Sequence, residues 1–293
     1  MPAGGKSTVR SRRLGAALKR LRLNALLDQE HAAEAVACST AKISRIESGA
    51  VGARVGDVRV LLDLYEVEDA AERKLLEQLA RNSNKRGWWL DFETGHPMRE
   101  ILGDFLSLES DATYIRTWHP LLVPALLQTP EYTRALTDAS PDVVEEAAAD
   151  LVVKVRQERR RIFEENSRRF AAVIWEPVVT GPMPDLAVHR AQLGHLIKMA
   201  KQPNVTIQVL PLSEWAAARV SPAFVGFSYA SETSPEVVVH DTVSNCVILE
   251  DPDAMAGYVH AFDALRSAAL TPNKSVSFIR EIMDGLTIEN EEM

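Results

Sequence analysis

The stretch from Ser39 to Gly49, STAKISRIESG, decides how the amino-terminal part of the chain is read. Ile43 and Ile46 are three apart and take the inner face of a short helix. Thr40, Ala41, Ser44 and Arg45 are then left on the outer face. Ser39 is a helix-capping residue, and Gly49 suits the left-handed stop after the last turn. Short outer side chains let such a helix approach base-pair edges closely, and one guanidinium can grip a guanine through O6 and N7. The helix N-terminus at Ser39 suits a phosphate, and so does Lys42.

Working outward, Asp28 can cap a preceding helix whose inner face is Ala32, Ala33 and Val36, with Glu30 in its first turn. Helices over 28–37 and 39–48, separated by a tight turn at Cys38, have helix-turn-helix spacing. In that motif the second helix lies in the DNA major groove. Upstream, Leu14, Leu18, Leu21 and Ala25 fall on one helix face. Downstream, Asp57 opens a fourth helix with Val58, Leu61, Leu62 and Tyr65 apolar, and a fifth runs from Ala71 to Ala80. The alternative is a small helical bundle with no DNA role; the basic head and the turn spacing weigh against it.

The net charge of −8 conceals an asymmetry. Residues 1–90 hold 16 Lys and Arg against 11 Asp and Glu, whereas the remainder holds 17 against 30. Residues 1–27 carry seven basic side chains and no acidic one. A basic head on an acidic body is the footprint of a nucleic-acid binder whose larger part does other work. The expected organisation is a flexible basic arm over 1–10, a helix-turn-helix domain over 11–87 and a larger domain over 88–293. The polar stretch RNSNKRG at 81–87 is the expected linker. Cys38 and Cys246 are the only cysteines, which gives no disulfide framework and fits a reducing cytoplasm. No apolar run is long enough for a membrane span, and Lys19, Arg20 and Arg22 interrupt any signal-peptide core.

In the larger part, helical patterns cover about 98–110, 130–139, 141–166, 186–201, 252–270 and 273–286. Five stretches rich in Val, Ile and Phe read as strands, at 169–175, 205–211, 223–229, 236–241 and 245–250. Consecutive strands late in the chain predict an α+β domain with a mainly antiparallel or mixed sheet.

LDQEHAAEAVACSTAKISRIESG (27–49) resembles the Cro/repressor-type (XRE) helix-turn-helix, with Ala33, Ser39, Ile43, Ser44, Ile46, Glu47 and Gly49 matching its pattern. DVRVLLDLYEVEDAAERKLLEQLA and RGWW are similar to the actinobacterial branch of that family. YIRTWHPLLVPALLQTPEYTRAL (114–136), QPNVTIQVLP (202–211) and EDPDAMAGYVHAFDALRSAALTP (250–272) resemble the carboxy-terminal domain of unknown function carried by that branch. The resemblance implies a five-helix, lambda-repressor-like head and a structural pairing of Glu47 with Arg22. It also implies an antitoxin-like regulator that works with a small partner protein encoded nearby.

Three departures stand out. The family has glycine where this chain has Leu26 and Ala37; a left-handed backbone there would cost on the order of 1 kcal/mol each. Ala125 replaces a glycine in Pro124 to Gln128. WEPVVTGPMPDL (175–186) is richer in proline than the helix-like segment of relatives.

The candidate DNA-binding residues are therefore Ser39, Thr40, Ala41, Lys42, Ser44 and Arg45, with Arg10, Arg12, Arg13 and Gln29 as candidates for the DNA backbone. The seven histidines lack ligand spacing: His189 and His195 are six apart, and His31, His96, His119, His240 and His260 are scattered. Trp175, Glu176, Arg219 and His240 could converge near strand ends as a pocket. No metal, cofactor or catalytic constellation is expected, so the chain is read as a regulator and not an enzyme. Its expected partners are a palindromic operator in double-stranded DNA, a second copy of itself and a small protein, with a cytoplasmic, nucleoid-associated location and no membrane. A small-molecule sensor, an enzyme fused to a DNA-binding head, and an interaction protein that no longer binds DNA are the alternatives.

Overall fold

The computed structural model describes residues 8–83, 99–139, 146–166, 168–181, 185–219, 221–229, 236–241 and 246–291. The chain forms two compact units that divide between Leu108 and Glu109. Of the arm expected over 1–10, residues 1–7 lie outside the described residues. Thr8 caps the first helix, and Val9 and Arg10 are buried in its first turn. Of the expected linker, 81–83 belong to a helix end and 84–87 lie outside the described residues.

Five helices build the head: α1 (Val9–Asn24), α2 (Gln29–Ala35), α3 (Thr40–Glu47), α4 (Val55–Leu64) and α5 (Ala70–Asn82). Their starts are chemical. The Thr8 hydroxyl accepts from the Ser11 N–H, Asp28 from Glu30 and His31, Ser39 from Lys42, and Asp69 from Ala71. The fourth helix begins two residues earlier than expected. Asp57 sits inside its first turn, where a carboxylate favours the helix dipole without capping it. The core joins Leu14 and Leu18 to Ala32, Ala33, Ile43, Ile46, Val58, Leu61, Leu62, Leu76 and Leu79, with Leu21, Ala25, Val36 and Cys38 packed at its margin.

The second unit is an α+β domain around a mixed six-stranded sheet, ordered β3-β2-β1-β4-β5-β6. Its strands are β1 (Tyr114–His119), β2 (Arg169–Trp175), β3 (Val205–Leu210), β4 (Phe224–Ser228), β5 (Val237–Asp241) and β6 (Cys246–Leu249). The β1–β2 and β2–β3 pairs are parallel; β1–β4, β4–β5 and β5–β6 are antiparallel. Strands β2 to β6 are those expected. The missing one, YIRTWH, is central. Its polar letters hide a strand buried on both faces, where Arg116 stacks 3.9 Å over the Tyr114 ring and donates to the Ser228 hydroxyl at 2.5 Å.

Helices α6 (Arg99–Asp111), α7 (Pro130–Asp138), α8 (Glu146–Glu165), α9 (Glu176–Thr180), α10 (Leu186–Met199), α11 (Trp215–Ala218), α12 (Pro252–Ala268) and α13 (Pro272–Glu291) complete the chain. Among its described residues the proline-rich segment holds one short helix, α9, before α10 begins. Met255, Phe262 and Leu265 of α12 pack on the face formed by Trp118, Val173, Phe224 and Val238. The Gln192 side chain of α10 donates to the Leu127 carbonyl at 2.7 Å and accepts from the Thr129 N–H at 2.8 Å, which ties that helix to the turn before α7. No helix among the described residues is long and apolar enough to cross a membrane.

Candidate nucleic-acid interface

The outward surface of α3 follows from which residues it must bury. Ile43 and Ile46 are each 1% exposed. Thr40, Ala41, Ser44 and Arg45 are all exposed, as the spacing predicts. Ser39 stands at the helix start, its hydroxyl accepting from the Lys42 N–H at 3.2 Å. Lys42 is half-buried, and its ammonium lies 3.1 Å from the Asp57 carboxylate of α4, a partner that no sequence spacing announces.

The backbone candidates are dispersed. Arg10 is turned inward, 8% exposed, and its guanidinium donates to the Asn82 carbonyl at 3.5 Å. Arg12 is exposed and paired with Asp104 at 2.7 Å. Arg13 is half-buried on α1. Gln29 opens α2 and donates to Glu47 at 2.8 Å. Ser39, Thr40, Ala41, Ser44 and Arg45 thus share one exposed strip; of the four backbone candidates, Gln29 lines a depression together with Thr40, while Arg10, Arg12 and Arg13 lie on α1.

What holds α3 at its angle is mostly buried polarity. Glu47 accepts from Arg22 through both oxygens, at 2.6 and 2.9 Å, and Arg22 also donates to the Leu27 carbonyl at 2.8 Å. Burial alone would raise the Glu47 pKa, but the Arg22 and Gln29 hydrogen bonds prevail and hold it below the ordinary value. Tyr65 nearby is pushed up to about 12 by burial and by the Glu47 charge, so its phenol stays neutral. Gly15 of α1 is the second device. A Cβ there would come within 2.2 Å of the Ile46 carbonyl oxygen, so α1 and α3 approach as only glycine allows. The turns flanking α2 are left-handed, at Leu26 (φ 56°) and Ala37 (φ 47°), and Gly49 closes α3 at φ 72°. An open depression lined by Arg22, Asp28, Gln29, Glu30 and Thr40 runs beside α2 and α3.

In the body, the four residues expected to converge have separate local partners. Glu176 accepts from the Leu212 N–H at 2.7 Å, and the Arg219 guanidinium lies 5.6 Å from the Trp215 ring centre. His240 hydrogen-bonds the Ala223 carbonyl at 2.9 Å and the Tyr258 hydroxyl at 2.7 Å. Trp175 packs at the margin of the α12 core. No hydrogen bond or ion pair joins the four to one another. Among the described residues no cluster of His, Cys, Asp and Glu could hold a metal ion.

Residues 13–76 match a family described as a helix-turn-helix domain, the fold of DNA-binding regulators. Residues 102–281, more than half of the chain, match one described as a domain of unknown function, DUF5753. No curated protein and no solved structure matches the chain. By these matches the chain belongs to the DUF5753 family and carries a helix-turn-helix DNA-binding domain at its head.

Proposed function

We propose that the protein is a sequence-specific transcriptional regulator of the Cro/repressor (XRE) type, in which α3 enters the major groove and Arg45 reads a base pair. The observation that carries this is the exposure pattern of α3: both isoleucines inward, and Thr40, Ala41, Ser44 and Arg45 outward. Binding-site selection from random duplexes with the full chain tests it. A single enriched motif is expected, and Arg45→Ala should cost about 1–3 kcal/mol on that motif and relax one position. Equal losses on selected and random duplexes would make Arg45 a phosphate contact instead.

The body is proposed to dimerise the chain and to sense a small partner protein in an antitoxin-like arrangement, in the cytoplasm and on the nucleoid, without catalysis of its own. One helix-turn-helix covers few base pairs, so a palindromic operator read by a dimer supplies the missing specificity. The head's apolar side chains are largely used in its own core, with Leu23, Leu26 and Val60 exposed singly, so self-association is assigned to the acidic body. Light scattering of the full chain checks this; a monomer at concentrations that saturate the selected site would overturn it.

A further inference from the structure

The sheet face turned away from α12 ends in charged and titratable side chains. Thr117 pairs with Val225 and Val225 with Val239, so His119 and Asp241, two residues further along β1 and β5, share one end and one face of the sheet. Helix α8 brings Arg156 and Arg159 to them from one of its faces, three residues apart. His119 and Asp241 both feel the two guanidinium charges.

The two arginines are not equally compensated. Arg159 donates to both oxygens of Glu109, at 2.9 and 2.7 Å. Arg156 meets no carboxylate at ion-pair distance among the described residues, and its hydrogen-bond partner is the neutral amide oxygen of Gln128. That amide is itself fixed, donating to the Val123 carbonyl at 2.7 Å and accepting from the Thr133 hydroxyl at 3.1 Å. Arg156 is therefore held in place by a group that brings no charge, with most of its five N–H donors unused. Burial lowers its pKa to about 10 and Arg159 pushes the same way, against the smaller opposing pull of Asp241 and Tyr132. Burial and then the two arginines lower His119 to about 4, so that ring is neutral near pH 7. Its ring has no hydrogen-bond partner among the described residues.

Arg156 is half-buried and its direct partner is neutral, with Asp241 acting on it only across space; a charge so weakly compensated is costly, and an anion brought to it offsets that cost. The planar guanidinium fork fits a carboxylate or a phosphate equally well. The carboxyl ends of parallel strands, where β1 delivers His119, are also where open sheets bind ligands. We propose that this end of the sheet, beneath α8, binds a small ligand through an oxyanion group, gripped by Arg156 with the His119 ring at its edge. The site lies wholly in the body and goes beyond the DNA-binding reading, giving a small-molecule signal a place to act.

Thermal unfolding of the full chain in phosphate, in succinate and in chloride at equal ionic strength tests it. Phosphate or succinate at millimolar concentration should raise the body's unfolding temperature by several degrees over chloride. Arg156→Met should lose that response, while Arg219→Met should keep it. A response to phosphate alone assigns a phosphate-bearing ligand; a response to succinate alone assigns a carboxylate. Should Arg156→Met not fold, Arg156→Lys keeps the charge without the fork and should weaken calorimetric anion binding at least tenfold. No response in the wild type, an equal response in Arg156→Met, or unchanged affinity in Arg156→Lys overturns the proposal. None of these readouts involves DNA, so failure of the DNA-binding reading would leave the result standing.

Discussion

Arg22 of α1 and Glu47 of α3 form a two-pronged ion pair at 2.6 and 2.9 Å, with 7% and 4% of their side chains exposed. Breaking one partner leaves a buried charge, so Glu47→Ala should cost about 3–5 kcal/mol, whereas Arg22→Met with Glu47→Leu should cost far less. The head amides of α1 and α3, followed by hydrogen exchange in the full chain, report both. If the double variant is as damaged as the single, the pair itself and not the orphaned charge is what stabilises the head.

The same pair sets an acid limit. Glu47 is held below the ordinary glutamate value of 4.5, so the unfolded chain takes up its proton at higher pH than the folded one. Its stabilisation is complete above that value and is lost as pH falls through the lower folded pKa. Glu47→Gln should therefore lose less stability than the wild type between pH 5 and 3. Parallel acid titration curves for the two proteins would show that other carboxylates govern the acid transition.

Leu26 and Ala37 occupy backbone conformations that favour glycine. Leu26 is also 93% exposed, so its side chain contributes little packing. Leu26→Gly and Ala37→Gly should each stabilise the head by about 1 kcal/mol. Urea denaturation monitored on the head decides; a loss of stability in both would mean that the unfolded chain's added freedom dominates.

Gly15 and Gly56 make opposite predictions for one added methyl. At Gly15 it would meet the backbone oxygens of Ile46 and Glu47 at 2.2 and 2.7 Å, and at Gly56 nothing lies within 4 Å. Gly15→Ala should destabilise by about 3 kcal/mol and displace α3, with DNA binding lost in parallel. Gly56→Ala should be neutral or stabilising by up to about 1 kcal/mol. Equal thermal shifts in the two would contradict the close α1–α3 approach.

Asp57 holds the Lys42 ammonium at 3.1 Å. If Lys42 meets a phosphate, Asp57→Asn should tighten binding to every duplex and steepen the salt dependence. Lys42→Gln should flatten the slope of log K against log salt by about 0.9. Unchanged slopes in both variants would place Lys42 away from the DNA.

Much of this was legible in the chain itself, for identifiable reasons. Ser39, Asp28 and Ile43 with Ile46 act over three or four residues, and local geometry translates directly into helix starts and buried faces. Strands β2 to β5 announce themselves because Val, Ile and Phe fill both sides of a covered sheet, and edge strand β6 by its short apolar run, although Val247 is exposed. Strand β1 does not, since its Arg116 is made tolerable by a stacking ring and a distant hydroxyl, Ser228. Likewise Ala37 and Leu26 could be flagged as departures, but their φ angles are set only when α2 packs against α3 and α4.

The sequence by itself determined the helix-turn-helix, the outward set on α3 and the α+β character of the body, because periodicity and capping are short-range. Only the tertiary structure decided that Arg10 turns inward, that Lys42 is held by Asp57, and that Arg156 rests on a neutral amide instead of a carboxylate. Each of those joins residues 15 to 72 positions apart. Pairing over such distances is settled by how helices and strands pack, and no local pattern of side chains encodes it.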